Sequence, residues 1–319
     1  MKKTSVAVFV CLLAAGLAGP LPAAAQSPFS VQPLAGGVYN VRFTNPGFNM
    51  NHLLVVDGDG VVLVDTLPTM PGVLDPPYKM YYLFSATIHG VIGTRPVDTI
   101  INTHWHYDHV GLNDKFRLWE GTQNILAHWR AGAYLVEQHC MPDLPPPNCM
   151  PFYPQPESQP TVGIKGEKRL QLQNETIILK TVENAHSGAD LFVYLENANV
   201  LYTGDVYFGG IYPIIDREGG GTLNGTLAAL QKMLALIDDD TIVVPPHGAV
   251  GNRASIEKTV GMLEGCRWRI RQLIADGFTE QEVMNDPVLA AMDAEWNSVF
   301  IQGPIFRRVL YRDLAPEGK

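Results

Sequence analysis

The sequence has few cysteines, few charged side chains and more acid than base. Among its 319 residues are only 4 Cys, and 23 Lys and Arg stand against 32 Asp and Glu, which gives a formal charge of −9. Four cysteines are too few for a disulfide scaffold of this length. The acidic balance excludes the basic surface on which nucleic-acid binding depends. We therefore expect no nucleic-acid partner.

The chain also lacks internal repeats, low-complexity tracts and, after its first 25 residues, any long apolar run. Apolar residues still make up 46% of the chain, so a sizeable core can be buried. A spanning helix needs about 20 consecutive apolar residues, and no later segment meets that requirement. These features predict a globular protein with no stable membrane anchor, and they leave its oligomeric state open.

The first 25 residues differ from the rest of the chain. Lys2 and Lys3 precede an apolar stretch at 6–17, and Ala23-Ala24-Ala25 provides the small residues that signal peptidases require. The apolar stretch is shorter than the roughly 20 residues of a spanning helix. The pattern predicts a signal peptide at residues 1–25 and a mature protein that is periplasmic or secreted.

Short apolar runs bounded by turn residues predict two groups of strands, and helical spacing predicts helices between and after them. The predicted strands are 38–43, 51–56, 61–65 and 97–101, then 169–172, 175–182, 191–195, 200–203 and 241–244. Helical patterns cover parts of 113–137, residues 223–237 and the chain from 256 onward, where Thr279 and Glu282 predict a capping box for a last helix. We expect an α/β (α+β) fold with a sandwich domain at 26–255 and a helical C-terminal extension at 256–319 packed on it.

Proline and cysteine mark one segment as irregular. Residues 140–160 contain eight prolines, which predicts a long loop without regular structure. Cys140 and Cys149 bracket part of this loop, and the sequence leaves open whether they form a disulfide. Cys266 falls in a helical pattern, where we expect a buried and unreactive thiol.

Metal-ligand side chains concentrate directly after the predicted strand at 97–101. Four of them lie within six residues: His104, His106, Asp108 and His109. Neutral imidazole and carboxylate are ligands for zinc and similar ions. In an extended segment the i, i+2 spacing of His104 and His106 directs both rings to the same side. Asp108 and His109 can then address a second ion, so the cluster predicts a metal site.

Three further candidates, His186, Asp205 and His247, each follow another predicted strand. Taken singly, a loop histidine or a Gly-Asp turn is ordinary. Their shared position at strand ends is what a site on one edge of a sheet requires, so we expect them beside the first cluster. The other histidines lie outside this pattern and are interpreted as ordinary core or surface residues: His52, His89, His128 and His139.

The HxHxDH motif at 104–109, followed in order by His186, Asp205 and His247, resembles the metallo-β-lactamase superfamily. The resemblance covers most of residues 36–250. It includes Leu63-Val64-Asp65-Thr66, which is similar to the early strand and supporting aspartate of the family. It implies a four-layer αβ/βα sandwich with metal ions at one edge between the sheets.

The resemblance also implies two bound ions, expected to be Zn²⁺, with iron or manganese as alternatives. It assigns the first ion to His104, His106 and His186, and the second to Asp108, His109 and His247. Asp205 would bridge the two ions. Asp108 would in addition orient the hydroxide and carry its proton to the leaving group, and Asp65 would support a ligating histidine.

Together with the predicted signal peptide, the resemblance implies an exported dinuclear zinc hydrolase of a small-molecule substrate. Metal-bound hydroxide would open a cyclic or activated carbonyl, a lactam or lactone. Class B β-lactamases of the B1 and B2 types carry cysteine where this chain has Asp205. The aspartate is instead similar to that of glyoxalase II-like thioesterases, lactonases and phosphodiesterases. A glyoxalase II-type thioesterase, an iron-dependent sulfur oxidoreductase and a non-catalytic metal carrier remain open as alternatives.

Overall fold

The computed structural model describes residues 27–45, 48–68, 77–144, 149–299 and 301–316. The predicted signal peptide at 1–25 lies outside the described residues, as does part of the proline-rich loop, at 145–148. Within the described ranges, no helix is both long enough and apolar enough to cross a membrane.

Seven strands form the first sheet, in the order β1-β2-β3-β4-β5-β6-β9. They are β1 Phe29–Ala35, β2 Val38–Asn45, β3 Phe48–Val56, β4 Val61–Val64, β5 Thr99–Ile101, β6 Asn124–His128 and β9 Val162–Ile164. β1 to β4 pair antiparallel, and β3 and β4 form the predicted hairpin across Gly58-Asp59-Gly60. β4, β5, β6 and β9 pair in parallel, so their carboxyl ends reach the same edge of the sheet.

The sequence patterns did not indicate β1 or β6. β6 lies inside the segment for which we expected helices, because its short apolar run fits either a helix or a strand by periodicity. This segment forms a strand because it pairs in parallel with β5, with Ile100 opposite Ile125. The strand β6 thus depends on a partner distant in sequence, whereas β1 pairs with the adjacent β2.

Five strands form the second sheet, in the order β10-β11-β12-β13-β14. They are β10 Glu167–Gln171, β11 Thr176–Val182, β12 Asp190–Leu195, β13 Val200–Tyr202 and β14 Ile242–Val244. β10 to β13 pair antiparallel, and β14 joins β13 in parallel. All five strands lie within about two residues of their predicted positions.

The helices cover the outer faces of the sheets. They are α1 Pro77–Ile92, α2 Tyr107–Val110, α3 Asn113–Lys115, α4 Ala131–Leu135, α5 Leu223–Leu234, α6 Arg253–Ala275, α7 Glu280–Met284, α8 Pro287–Ala290, α9 Asp293–Trp296 and α10 Gly303–Leu314. Short π and 3₁₀ turns add Phe116–Glu120, Pro156–Ser158 and Gly204–Val206. The predicted capping box of Thr279 and Glu282 begins α7. Our prediction that it begins the last helix is wrong, since α8, α9 and α10 follow.

Neighbouring residues on one strand face different layers, which builds a sandwich. In β3, Leu53 points into the cluster between the two sheets, whereas Leu54 packs under α1. In β12, Leu191 joins the cluster between the sheets, whereas Phe192 packs against the helices on the far side. The layers therefore run helix, sheet, sheet, helix, as expected.

The C-terminal helices pack on the second sheet. Leu263 of α6 and Leu310 of α10 belong to the same buried cluster as Leu230 of α5 and Phe192 of β12. The thiol of Cys266 is buried in this cluster, as predicted. Burial raises its pKa to about 12, so the thiol stays protonated and unreactive.

The proline-rich segment is more ordered than predicted. Cys140 and Cys149 form a disulfide, and β7 His139–Cys140 pairs antiparallel with β8 Cys149–Met150. We call these strands, with residues 141–144, the disulfide hairpin. The two strands of the hairpin are close in sequence, but the high proline content of the segment did not predict that they pair.

Candidate metal centre

The structure brings all seven predicted side chains together at one edge of the two sheets. The segment 104–109 follows β5, His186 follows β11, Asp205 follows β13 and His247 follows β14. Their donor atoms form three overlapping groups, each within 4.8 Å: His104, His106 and His186; His104, His109 and Asp205; Asp108, His109 and His247. Every member is buried.

Asp205 lies at the centre of this cluster. Its Oδ1 is 3.4 Å from Nε2 of His109, and its Oδ2 is 3.6 Å from Nε2 of His247 and 3.7 Å from Nε2 of His186. The preceding Gly204 has a φ of 54°, and a Cβ there would lie 2.8 Å from the Cβ of Thr103. Only glycine allows the chain to turn so closely after β13, and this turn directs Asp205 into the cluster.

The remaining ligand candidates surround Asp205 in two sets. Nδ1 of His106 lies 2.9 Å from Nε2 of His186 on one side. On the other side, Oδ2 of Asp108 lies 3.2 Å from Nε2 of His247 and 3.6 Å from Nε2 of His109. These two sets correspond to the two ligand sets that the resemblance implies.

Three of the converging atoms lack any hydrogen-bond partner. They are Nε2 of His104, Nε2 of His109 and Oδ1 of Asp205, all buried and all in the same group. Buried polar atoms without partners are rare, because they lose their hydration without compensation. Cations held in the cluster would satisfy these atoms, and the imidazole and carboxylate donors suit divalent zinc, iron or manganese. The residues therefore fit a bound metal.

Burial favours the neutral form of two of the histidines, which is the form that binds metal. It lowers the pKa of His104 well below its usual value, and the neighbouring histidines add to that effect. Burial together with His106 lowers the pKa of His186 to about 4. Metal ligation requires neutral imidazole, so neither ring would have to lose a proton near neutral pH.

The carboxylates of the site favour positive charge on the neighbouring histidines, whereas burial favours the neutral form. Burial alone would raise the pKa of Asp205, but His247 and His109 outweigh it and hold that pKa well below its usual range. Burial likewise opposes protonation of His109, yet Asp205 and Asp65 raise its pKa well above the usual value. A positive charge therefore stabilises the site, and either a proton on His109 or a metal ion can supply that charge.

Nδ1 of His104 meets the hydroxyl of the adjacent Thr103 at 3.2 Å, and hydrogen bonds to residues more distant in sequence orient the other four rings, as is usual for metal-binding histidines. Nδ1 of His109 donates to Asp65, as the resemblance implies. Nδ1 of His186 donates to the carbonyl of Ile214 at 2.8 Å, and Nδ1 of His247 donates to the carbonyl of Asn49 at 3.2 Å. Nε2 of His106 donates to Asp216, a residue that no sequence pattern singled out.

Asp216 also connects the centre to His139. Its Oδ2 lies 3.0 Å from Nε2 of His106 and 2.9 Å from Nε2 of His139, and its side chain is fully buried. We interpreted His139 as an ordinary core or surface histidine, and the structure places one carboxylate between its ring and that of His106. Asp216 lies in an irregular segment before α5 and matches no motif, so the sequence carried no signal for either residue.

Comparisons with known proteins agree with this geometry. Residues 46–247 match the family model described as the metallo-beta-lactamase superfamily. No curated protein sequence matches the chain significantly. Three solved structures share the fold, and each alignment covers 74% of this chain. A metallo-beta-lactamase from Pontibacter korlensis is 17% identical over 99% of its own chain, with a TM-score of 0.54. DIM-1 metallo-beta-lactamase is 16% identical over 97% of its chain (TM-score 0.54), and metallo-beta-lactamase IND-7 is 18% identical over 98% of its chain (TM-score 0.55).

The likeness to these structures lies in the fold, since the identities are low. It establishes the metallo-β-lactamase sandwich, here with a helical C-terminal part. The family match spans the HxHxDH segment and extends to His247, so it includes every ligand candidate. The chain therefore belongs to the metallo-beta-lactamase superfamily.

Proposed function

We propose that this protein is an exported dinuclear zinc hydrolase that opens the ring of a lactam or a lactone. The observation that carries the proposal is the convergence of three unpartnered buried atoms, on His104, His109 and Asp205, inside a cluster of seven ligand-type side chains. Membership in a superfamily of metallohydrolases supports hydrolysis. The similar structures are metallo-beta-lactamases, which supports a lactam as one candidate substrate.

Divalent ions held at such a site lower the pKa of water and polarise a substrate carbonyl. The donor groups would hold one ion through His104, His106 and His186 and the other through Asp108, His109 and His247, with Asp205 shared between them. Hydrogen bonds fix the outer nitrogens of four of these rings, so the ligands are preorganised.

Asp108 is the residue we assign to proton transfer. Its side chain is 12% exposed, whereas those of His104 and His109 are at most 1% exposed, so of these three it is the most accessible from solvent. Burial would raise its pKa, but His109 and His247 outweigh it and hold that pKa below the usual value. An ionised carboxylate in this position can accept a proton from water and deliver it to the leaving group.

The disulfide hairpin supports export. Cys140 and Cys149 are bonded, and disulfides persist mainly in oxidising compartments such as the bacterial periplasm. This agrees with the signal peptide predicted at residues 1–25. Thioesters of coenzyme A and glutathione are mainly cytosolic, so export favours a lactam or a lactone over a thioester.

The donor set keeps one alternative open. All seven ligand candidates offer nitrogen or carboxylate oxygen and none offers a thiolate, so iron would be accepted as well as zinc. Iron in freshly isolated protein would favour the sulfur oxidoreductase. Zinc would favour hydrolysis.

The test is metal analysis followed by hydrolysis assays. Protein purified after export would be analysed for metals, stripped with a chelator, reloaded with zinc and offered a chromogenic β-lactam, a lactone and a thioester. We expect two zinc ions per chain and chelator-sensitive hydrolysis of the lactam or the lactone. Hydrolysis of the thioester alone would overturn the assignment in favour of a thioesterase. A protein that binds no metal would overturn it altogether.

A further inference from the structure

A single buried carboxylate lies between a metal-ligand candidate and a histidine outside the metal centre. Oδ2 of Asp216 accepts a hydrogen bond from His106 at 3.0 Å, and Oδ1 accepts one from His139 at 3.1 Å and one from the backbone N–H of Gly219 at 2.9 Å. With three donors on two oxygens, the carboxylate cannot rotate without breaking at least one bond. The orientation of the His106 ring is therefore tied to the position of His139.

Trp105 fills the space between the two imidazoles. Its ring meets His106 edge-on at 4.5 Å and His139 edge-on at 4.7 Å, and it stacks on Tyr134 at 4.7 Å. The indole is itself buried. Packing thus confines both rings, and His139 has little room to leave Asp216.

The disulfide hairpin holds His139 in this position. His139 directly precedes Cys140, whose bond to Cys149 closes the two short strands. Two residues form only a minimal ladder, and so short a ladder is marginal without a covalent link. The bridge therefore supplies the constraint that the backbone pairing lacks.

The C-terminal helix anchors the same hairpin. The carboxylate of Asp143 is buried and accepts hydrogen bonds from Arg217 at 3.0 Å and from Arg312 of α10 at 2.6 Å. Arg308, also on α10, donates to the carbonyl of Asp143. Arg217 directly follows Asp216, so the anchor joins the hairpin to the segment that carries the carboxylate.

We propose that His139 is a positioning residue for the metal centre, which holds Asp216 against the ring of His106, and that the Cys140–Cys149 bridge keeps His139 in place. The inference rests on the proposed function only in requiring a metal at the centre. It assigns to the disulfide hairpin a role in metal retention, whatever the substrate proves to be.

The test measures metal retention and ligand geometry rather than turnover. Zinc loss to a chelator would be timed, and the visible absorption of the Co²⁺-loaded protein would report the ligand field, in wild type, His139→Phe and His139→Gln. His139→Phe removes the hydrogen-bond donor, whereas the amide of His139→Gln can still donate to Asp216. His89→Phe is a matched control, because His89 pairs with a different buried carboxylate, Glu120, at 3.4 Å.

We expect zinc loss up to about tenfold faster in His139→Phe, with an altered Co²⁺ spectrum. Direct partners of metal ligands typically contribute tenfold or more, and His139 acts through such a partner, Asp216. His139→Gln should stay within about twofold of wild type, and His89→Phe should not differ from it. Unfolding of the metal-free variants separates retention from stability. Unchanged retention in His139→Phe, or equal losses in His89→Phe, would refute the positioning role.

The bridge is tested with the Cys140→Ser/Cys149→Ser double variant. We expect faster zinc loss and the same change in the Co²⁺ spectrum as in His139→Phe. Wild-type retention in the double variant would overturn the part assigned to the disulfide. If wild type itself bound neither zinc nor Co²⁺, the proposed function would fail together with this inference, whereas tight binding in both wild type and His139→Phe would refute the inference alone.

Discussion

Nδ1 of His109 lies 2.8 Å from Oδ2 of Asp65, and both side chains are completely buried. The same carboxylate accepts the backbone N–H and the hydroxyl of Thr103, at 2.8 and 2.7 Å. Asp65 has a φ of 60°, an uncommon conformation for a residue with a side chain. Three buried donors on one carboxylate compensate for that strain and connect the end of β4 to the HxHxDH segment.

Asp65→Asn should weaken both the fold and the metal site. An amide has one accepting atom, so its NH₂ must face a donor of either Thr103 or His109. We expect a loss of about 1–3 kcal/mol in the free energy of unfolding of the metal-free protein. Zinc affinity should fall about tenfold. Urea unfolding and chelator competition measure the two effects.

Asp98→Asn is the matched control for that substitution. Asp98 accepts the backbone N–H of Val61 at 2.8 Å, so it too bonds to the end of a strand, but it contacts none of the ligand candidates. It should leave zinc affinity unchanged. Equal losses of affinity in both variants would mean that Asp65 acts through the fold alone.

Asp108→Asn should abolish turnover while leaving most of the structure intact. The amide preserves the shape of the side chain but cannot accept a proton from water. We expect kcat to fall by about 100-fold or more, the usual contribution of a positioned proton-transfer group. The measurement is kcat on protein whose metal content has been determined. Wild-type turnover in a fully metallated variant would contradict the role.

Zinc should stabilise the protein strongly, because it would satisfy buried atoms that otherwise lack partners. For a ligand that binds only the folded state, a free concentration of 1,000 times Kd adds about 4 kcal/mol. Thermal unfolding with and without a chelator would show a matching difference in Tm. Asp205→Asn removes the central charge and should lose most of that difference. Equal Tm values for stripped and zinc-loaded wild type would argue against a metal site.

Asp190 should contribute to the stability of the metal-free protein, and that contribution should fall as the pH rises from about 4 to about 8. Burial raises the pKa of Asp190 from 3.8 to about 8, although two hydrogen bonds from Ser187 oppose the shift. The folded state therefore keeps a proton that the unfolded chain releases above pH 4. This contribution is complete below pH 3.8 and is lost as the pH passes 8.

Asp190→Asn isolates that contribution, since the amide mimics the protonated acid at every pH. The stability of wild type relative to this variant should decline between pH 4 and pH 8 in chelator-treated samples. Denaturant midpoints at a series of pH values provide the measurement. A constant difference across that range would show that Asp190 is ionised in the folded state.

The sequence by itself determined the fold class and the ligand candidates. Apolar runs shortly before four ligand candidates place metal-ligand side chains at the ends of strands: His104, His186, Asp205 and His247. Strands packed as a sandwich bring those ends to common edges. The donor types further restricted the metal, because imidazole and carboxylate without thiolate favour zinc, iron or manganese. These inferences depend on short-range periodicity and on side-chain chemistry, both of which can be read from the chain.

Only the tertiary structure decided how the ligands are held. Asp216 lies 110 residues from His106 and 77 from His139, in a segment without regular structure, and each of these contacts exists only once the irregular segments have folded against one another. The strand β6 and the anchoring of the disulfide hairpin by α10 likewise depend on distant partners. Local sequence patterns do not indicate such partners, because the conformation of a loop depends on packing rather than on periodicity.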